Sequence, residues 1–174
     1  MLRISKPEVG EYAPYTIDYI KLVPEDGEVL AHLAQNSVTM CDYVRALPAD
    51  TLTTPHAEGE WTVQDILVHI IDTERVFAYR ALRIARGDTT DLPGFEQGDY
   101  AVSAHANQRT LDSILDEYVA VRQASLTLFH SLDEAMLTRQ TRASGNMTSV
   151  RALIYQTAGH ELHHLYSMRE HYGE

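Results

Sequence analysis

The chain has 174 residues, enough for one domain that buries a proper core without disulfides. Its formal net charge of −11 argues against a nucleic-acid partner, because phosphate binding needs a basic face, and suits a freely diffusing protein. The single cysteine, Cys41, excludes an intramolecular disulfide. No stretch reads as a signal peptide or membrane span, so the expectation is a cytoplasmic protein with no membrane partner.

Residues 1–24 read as an extended leader, interrupted by Pro7, Pro14 and Pro24. Tyr12, Tyr15, Ile17, Tyr19 and Ile20 give it apolar surface to lie as a strap across the remainder, or to serve as a pocket wall or dimer contact. From about Glu25 to Leu47, Leu30, Leu33, Ser37, Met40, Val44 and Leu47 recur in steps of three and four, the mark of an amphipathic helix, which Pro48 ends. Cys41 falls inside it as a small residue rather than a nucleophile. Residues 48–61 form a loop closing on Trp61.

Thr62-Val63-Gln64-Asp65 then reads as a capping box opening a second helix. Ile66, His69, Ile70, Thr73, Phe77 and Arg80 mark one of its faces, and Arg83, Arg86 and Gly87 its end. Residues 87–104 read as a long polar loop, of the length used for crossovers, lids and binding loops. A third helix is expected from about His105 to Ser131, with Leu111, Ile114, Tyr118, Val121, Ser125, Leu128 and Leu132 on its seam. After a short turn near 133–137, Thr148 or Ser149 caps a fourth helix. This runs to about Tyr172 through Leu153, Thr157, His160, His164 and Met168. With no useful β-alternation, four long helices predict an all-α four-helix bundle spanning 1–174 as a single domain.

The chemistry concentrates in Gly159-His160-Glu161-Leu162-His163-His164. His160 and His164, four apart, stack on one helix face that continues inward from Leu153 and Thr157. Two stacked inward imidazoles are more economically satisfied by a cation than by protein partners. His69 is the other histidine on an inward face and is the expected third ligand. The rise per residue favours helices two and four running antiparallel, with the 87–104 segment carrying the chain back so that helix three parallels helix two. Three neutral imidazoles leave an open position on a divalent ion, and imidazole suits Zn, Ni, Fe or Cu.

A rival reading is the literal H-E-x-x-H of zinc proteases, with Glu161 as general base. The extended form needs glycine at position 167 and histidine at position 170, but the chain has Ser167 and Glu170, with His171 one position late. The protease reading is therefore remote, and His163, off the ligand face, is a neighbour rather than a ligand.

The run Trp61-Thr62-Val63-Gln64-Asp65-Ile66-Leu67-Val68-His69-Ile70-Ile71-Asp72-Thr73-Glu74 is followed by Leu92-Pro93-Gly94-Phe95, Arg122 and His160-Glu161-Leu162-His163-His164. Together these resemble the DinB/YfiT-like superfamily over nearly the whole chain. The resemblance implies an up-down-down-up bundle with a long crossover between helices two and three, metal ligands at His69, His160 and His164, and a homodimer. Relatives include metal-dependent hydrolase-like proteins and transferases that attach low-molecular-weight thiols such as bacillithiol or mycothiol to electrophiles. Where relatives often carry Asp after the first helix-four histidine, this chain has Glu161, which adds reach without disturbing the metal site.

The expectation is thus a metal-dependent thiol S-transferase or hydrolase acting on a small molecule with Zn, Ni or Fe, with a low-molecular-weight thiol as cosubstrate in the transferase case. Glu74 and Glu161 are the candidate catalytic carboxylates. Glu74 orients a ligand, shuttles a proton or forms a salt bridge; Arg80 and Arg122 meet a substrate carboxylate or pair structurally. The competing expectation is a non-catalytic metal-dependent binding or stress-response protein.

Overall fold

Four long amphipathic stretches become four long helices in a computed structural model, which describes residues 3–173. Helices α1 (Ile17–Leu22), α2 (Val29–Ala46), α3 (Val63–Ala85), α4 (Gln97–Ala104), α5 (Leu111–His130), α6 (Glu134–Leu137) and α7 (Val150–Tyr172) are joined by a hairpin of β1 (Gln140–Ala143) and β2 (Asn146–Ser149) before α7. Among the described residues no helix is long and apolar enough to cross a membrane.

The helix starts follow local chemistry. Thr62 and Asp65 form the expected capping box, each side chain engaging the other's backbone N–H. Ser149, not Thr148, caps α7 by accepting from Ala152 N at 3.0 Å. Two starts come later than periodicity predicts. Asp26 accepts from Glu28 N, and Gly27 has a positive φ of 76°, so α2 begins at Val29. His105 adopts a left-handed conformation, and Thr110 caps α5 through Ser113 N, so the third long helix begins at Leu111.

Three expectations are corrected. The leader is not extended throughout, since it contains α1. The 87–104 segment is not all loop, since its second half is α4. Short β structure is present: Ser144 and Gly145, both with positive φ (50° and 78°), make a two-residue turn pairing Gln140–Ala143 with Asn146–Ser149. Each of these elements has eight residues or fewer, too few for periodicity to declare itself.

Tertiary contacts fix the helix directions. Leu33 O accepts from Arg122 while Arg45 pairs with Asp112, so α2 and α5 are antiparallel. Gln64 meets Arg109 O while Glu74 meets Arg122, so α3 and α5 are parallel. Tyr172 at the end of α7 bonds His56 N in the loop before α3, whereas Arg139, whose carbonyl accepts from Val150 N at the start of α7, bonds Ala85 O at the end of α3. Helices α3 and α7 are therefore antiparallel, and the order is up-down-down-up.

Apolar residues form two clusters. One gathers Ile20, Leu33, Ile84, Phe129 and Leu153, and the other Met40, Leu67, Ile71, Ile114 and Leu165. Between them, at the level of His69 to Glu74 on α3 and of His160 and Glu161 on α7, lies a buried polar layer.

The N-terminal segment is tied to α7 by hydrogen bonds. Tyr155 donates to Ile4 O and Gln156 to Thr16 Oγ1, while Arg151 and Ser149 both bond Glu11. Helix α1 presses on α7 at Gly159, where a Cβ would lie 2.0 Å from the Tyr19 carbonyl oxygen.

Candidate metal centre

His69 comes from the first half of α3 and His160 and His164 from consecutive turns of α7, so the antiparallel pairing of these helices brings together residues 91 apart in sequence. His69 Nε2 lies 2.9 Å from His160 Nε2, and His164 Nε2 lies 3.1 Å from the same atom. The ligand atoms of all three fall within 4.8 Å of one another. Burial pushes the imidazoles toward neutrality: His69 is lowered to about 4, His164 to about 3 and His160 well below its usual value, with neighbouring histidines adding to the shift of the last two.

The donor set suits a metal ion. Neutral imidazole nitrogens offering lone pairs to one point cannot all satisfy each other, because at most one of any facing pair can donate. A tetrahedral ion bound at about 2.05 Å would want neighbouring nitrogens about 3.3 Å apart, a few tenths of an ångström wider than the His69–His160 and His160–His164 separations. Small ring rotations supply that difference. Trp61 packs on His69 at 4.8 Å between centroids, and Tyr19 and Phe77 approach His160 at 5.4 and 6.4 Å.

The structure places the other candidate residues elsewhere. His163 is exposed and packs on Tyr19 and beside His164, at 5.3 and 5.2 Å between centroids, whereas His171 stacks on His56 at 3.9 Å, away from the three. Glu74 and Glu161 are brought to each other, not to the histidines. Arg122 donates to Glu74 through Nε and Nη2 (3.0 and 2.8 Å), to Glu161 through Nη1 and Nη2 (3.0 and 2.9 Å) and to Leu33 O through Nη1 at 2.6 Å. All five guanidinium N–H groups are thereby spent.

Tyr118 donates to Glu161 as well. Burial raises the Glu161 carboxyl against the pull of Arg122, while the Arg122 guanidinium, despite burial, is held firmly charged by Glu161 and Glu74. Residue 161 follows His160 by one position and so points about 100° around the helix, toward α5. A carboxylate bound to Arg122 and Tyr118 there is not placed to serve as the base of a zinc protease.

Beside His160 opens a cavity of about 350 Å³, lined among others by Tyr19, Thr73, Phe77, Arg80, Phe95 and Gln156. Arg80 donates from Nη2 to Pro93 O at 2.7 Å and Ser144 Oγ at 2.8 Å. The contributions of Phe95 and Ser144 escape sequence reasoning. They depend on Leu92, whose N–H donates to Arg142 O and whose carbonyl accepts from Ser144 N, pinning the loop after α3 to the hairpin.

Comparison with known proteins agrees with this fold. The chain is 24% identical over 124 residues, 70% of each chain, to the putative metal-dependent hydrolase OB0413 of Oceanobacillus iheyensis. It superposes on YfiT of Bacillus subtilis, described as a probable metal-dependent hydrolase with an unusual four-helix bundle topology. That match has a TM-score of 0.72 and 15% identity, covering 95% of this chain and 90% of that one. It also superposes on the DinB-like protein YjoA of Bacillus subtilis, with a TM-score of 0.58 and 18% identity over 81% of this chain and 86% of the other. A profile of the DinB superfamily matches residues 28–168, and the chain belongs to that superfamily.

Proposed function

We propose that His69, His160 and His164 hold a divalent transition metal, Zn, Ni or Fe, and that the protein is a metal-dependent hydrolase of a small molecule. The observation that carries this reading is the convergence of three imidazoles, two buried and His164 half-buried, beside a cavity that His160 lines and that has room for a substrate. When bound, such an ion supplies Lewis acidity, making a water or thiol acidic enough to act as a nucleophile near neutral pH. The protein's own part is positional. Neutral imidazoles present lone pairs, Trp61, Tyr19 and Phe77 restrict their rotation and access to water, and the Glu74–Arg122–Glu161 cluster clamps α3, α5 and α7 in register. In this reading Glu74 and Glu161 are positioning residues.

The cavity beside His160 also supports a second reading, transfer of a low-molecular-weight thiol, because it leaves space for more than a water molecule. Metal-loaded protein incubated with an ester panel, and separately with thiol–electrophile pairs, decides between the two; no turnover of either kind favours a metal-dependent binding protein. The ligand assignment is tested by elemental analysis after dialysis. His69→Ala, His160→Ala and His164→Ala each lose most of the metal, and His163→Ala and His171→Ala retain it. Full occupancy in His69→Ala rejects the three-histidine site. Homodimerisation, expected from the family resemblance, is read by sedimentation.

A further inference from the structure

Two buried arginines point in from the long helices, and their surroundings treat them differently. Arg122 has every donor matched. Arg80, 7% exposed, engages protein only through Nη2, and among the described residues no carboxylate pairs with it and neither Nε nor Nη1 has a hydrogen-bond partner. Burial lowers its pKa, and the neighbour supporting its charge is Tyr15 rather than an acid. A guanidinium stays charged in such a place, so sequestering it without a counter-ion is costly unless an anion arrives from outside. The acid lining the same cavity, Glu96, is exposed and makes no ion pair with Arg80.

A second observation concerns Thr73. The residue lines the same cavity, and its hydroxyl is buried and has no hydrogen-bond partner, although a helical threonine commonly bonds back to a carbonyl one turn earlier. His69, Thr73, Phe77 and Arg80 succeed each other at spacings of four, four and three along one face of α3. His69 and Arg80 are thus separated by about 16 Å along the axis. Unmatched polar groups therefore stand at the far end and the middle of a cavity whose near end is His160.

We infer that this cavity binds an elongated small molecule whose terminal carboxylate seats on Arg80, with a polar atom meeting Thr73 and the reacting group turned toward His160. This rests on the metal reading above. A carboxylate, with its single charge, is favoured over a phosphate because Arg80 is the one Lys or Arg among the described residues that line the cavity, and its Nε and Nη1 hydrogens are left to receive it.

The test is calorimetric binding of alkyl hydroxamates, whose chelating head would sit on the metal. A series of increasing chain length ends in either a carboxylate, a phosphate or a methyl group. In the metal-loaded protein, one chain length should show about tenfold or greater gain for the carboxylate over the methyl end. Arg80→Gln should abolish the gain, Arg80→Lys should keep part of it, and all should bind acetohydroxamate equally. Thr73→Val should weaken the long probes and leave acetohydroxamate unchanged.

Equal affinity for carboxylate and methyl ends at every length overturns the inference, and a larger gain for phosphate overturns the carboxylate assignment. If acetohydroxamate fails to bind, the metal reading falls. The anion site is then decided on metal-free protein by whether hexanoate shifts Arg80 and Thr73 resonances where hexanol does not. Should Arg80→Gln not fold, Arg80→Lys and Thr73→Val carry the test.

Discussion

Arg122 is held between two carboxylates, a tyrosine ring and a backbone carbonyl, at 2% exposure, where the cost of an unmatched charge is severe. Replacing it with methionine strands Glu74 and Glu161 in the core. Arg122→Met is expected to lose about 3–5 kcal/mol in urea unfolding, and adding Glu74→Gln and Glu161→Gln should recover much of that loss. The histidines impose a pH dependence of definite sign. Their folded-state pKa values lie below the unfolded one, near 4 for His69 and 3 for His164, so as pH falls the unfolded chain takes up protons first. Their contribution is complete above about pH 6.5 and drains away as pH drops toward 4. Urea midpoints of metal-free protein at pH 7.5, 6.0 and 5.0 should fall in that order, with a shallower slope in His164→Gln.

At the level of elements, the strap meets α7 beside the site, at Gly159. Glycine inside a helix usually costs about 1 kcal/mol relative to alanine. At Gly159 the sign reverses, because the added Cβ would collide with the Tyr19 backbone rather than with a movable side chain. Gly159→Ala should therefore destabilise by about 1–3 kcal/mol, the range for overpacking, in thermal unfolding. It should also speed limited proteolysis of residues 9–27 and detach Tyr19 from His160.

The long helices were legible because each buries one face, and their caps follow local rules. On α5 the predicted seam is rotated slightly from the one observed: Val121 is only half-buried, whereas Arg122 and Phe129 are buried. A charged residue reads as solvent-facing until its partners on two other helices are known. The hairpin, α1 and α4 are too short to reveal a period, and their conformations depend on the helices they pack against.

For the whole molecule, an ion bridging α3 and α7 would tie together the two halves of the chain. Binding only the folded state adds about 2.7 kcal/mol when free metal exceeds its Kd a hundredfold. Melting with added metal should exceed melting with chelator, and His160→Ala should erase the difference.

The four helices, the capped start of α3 and the shared face of His160 and His164, with His69 on the inner face of α3, can be read from the amino-acid order alone. Each of these follows from spacing along a single helix. Packing between helices is what gives Glu161, next to a candidate ligand, to Arg122 and Tyr118. It also decided that Arg80 faces a cavity without a counter-ion and that Gly159 makes room for Tyr19. Those outcomes depend on which residues of distant segments arrive at the same place, and helix periodicity carries no information about that.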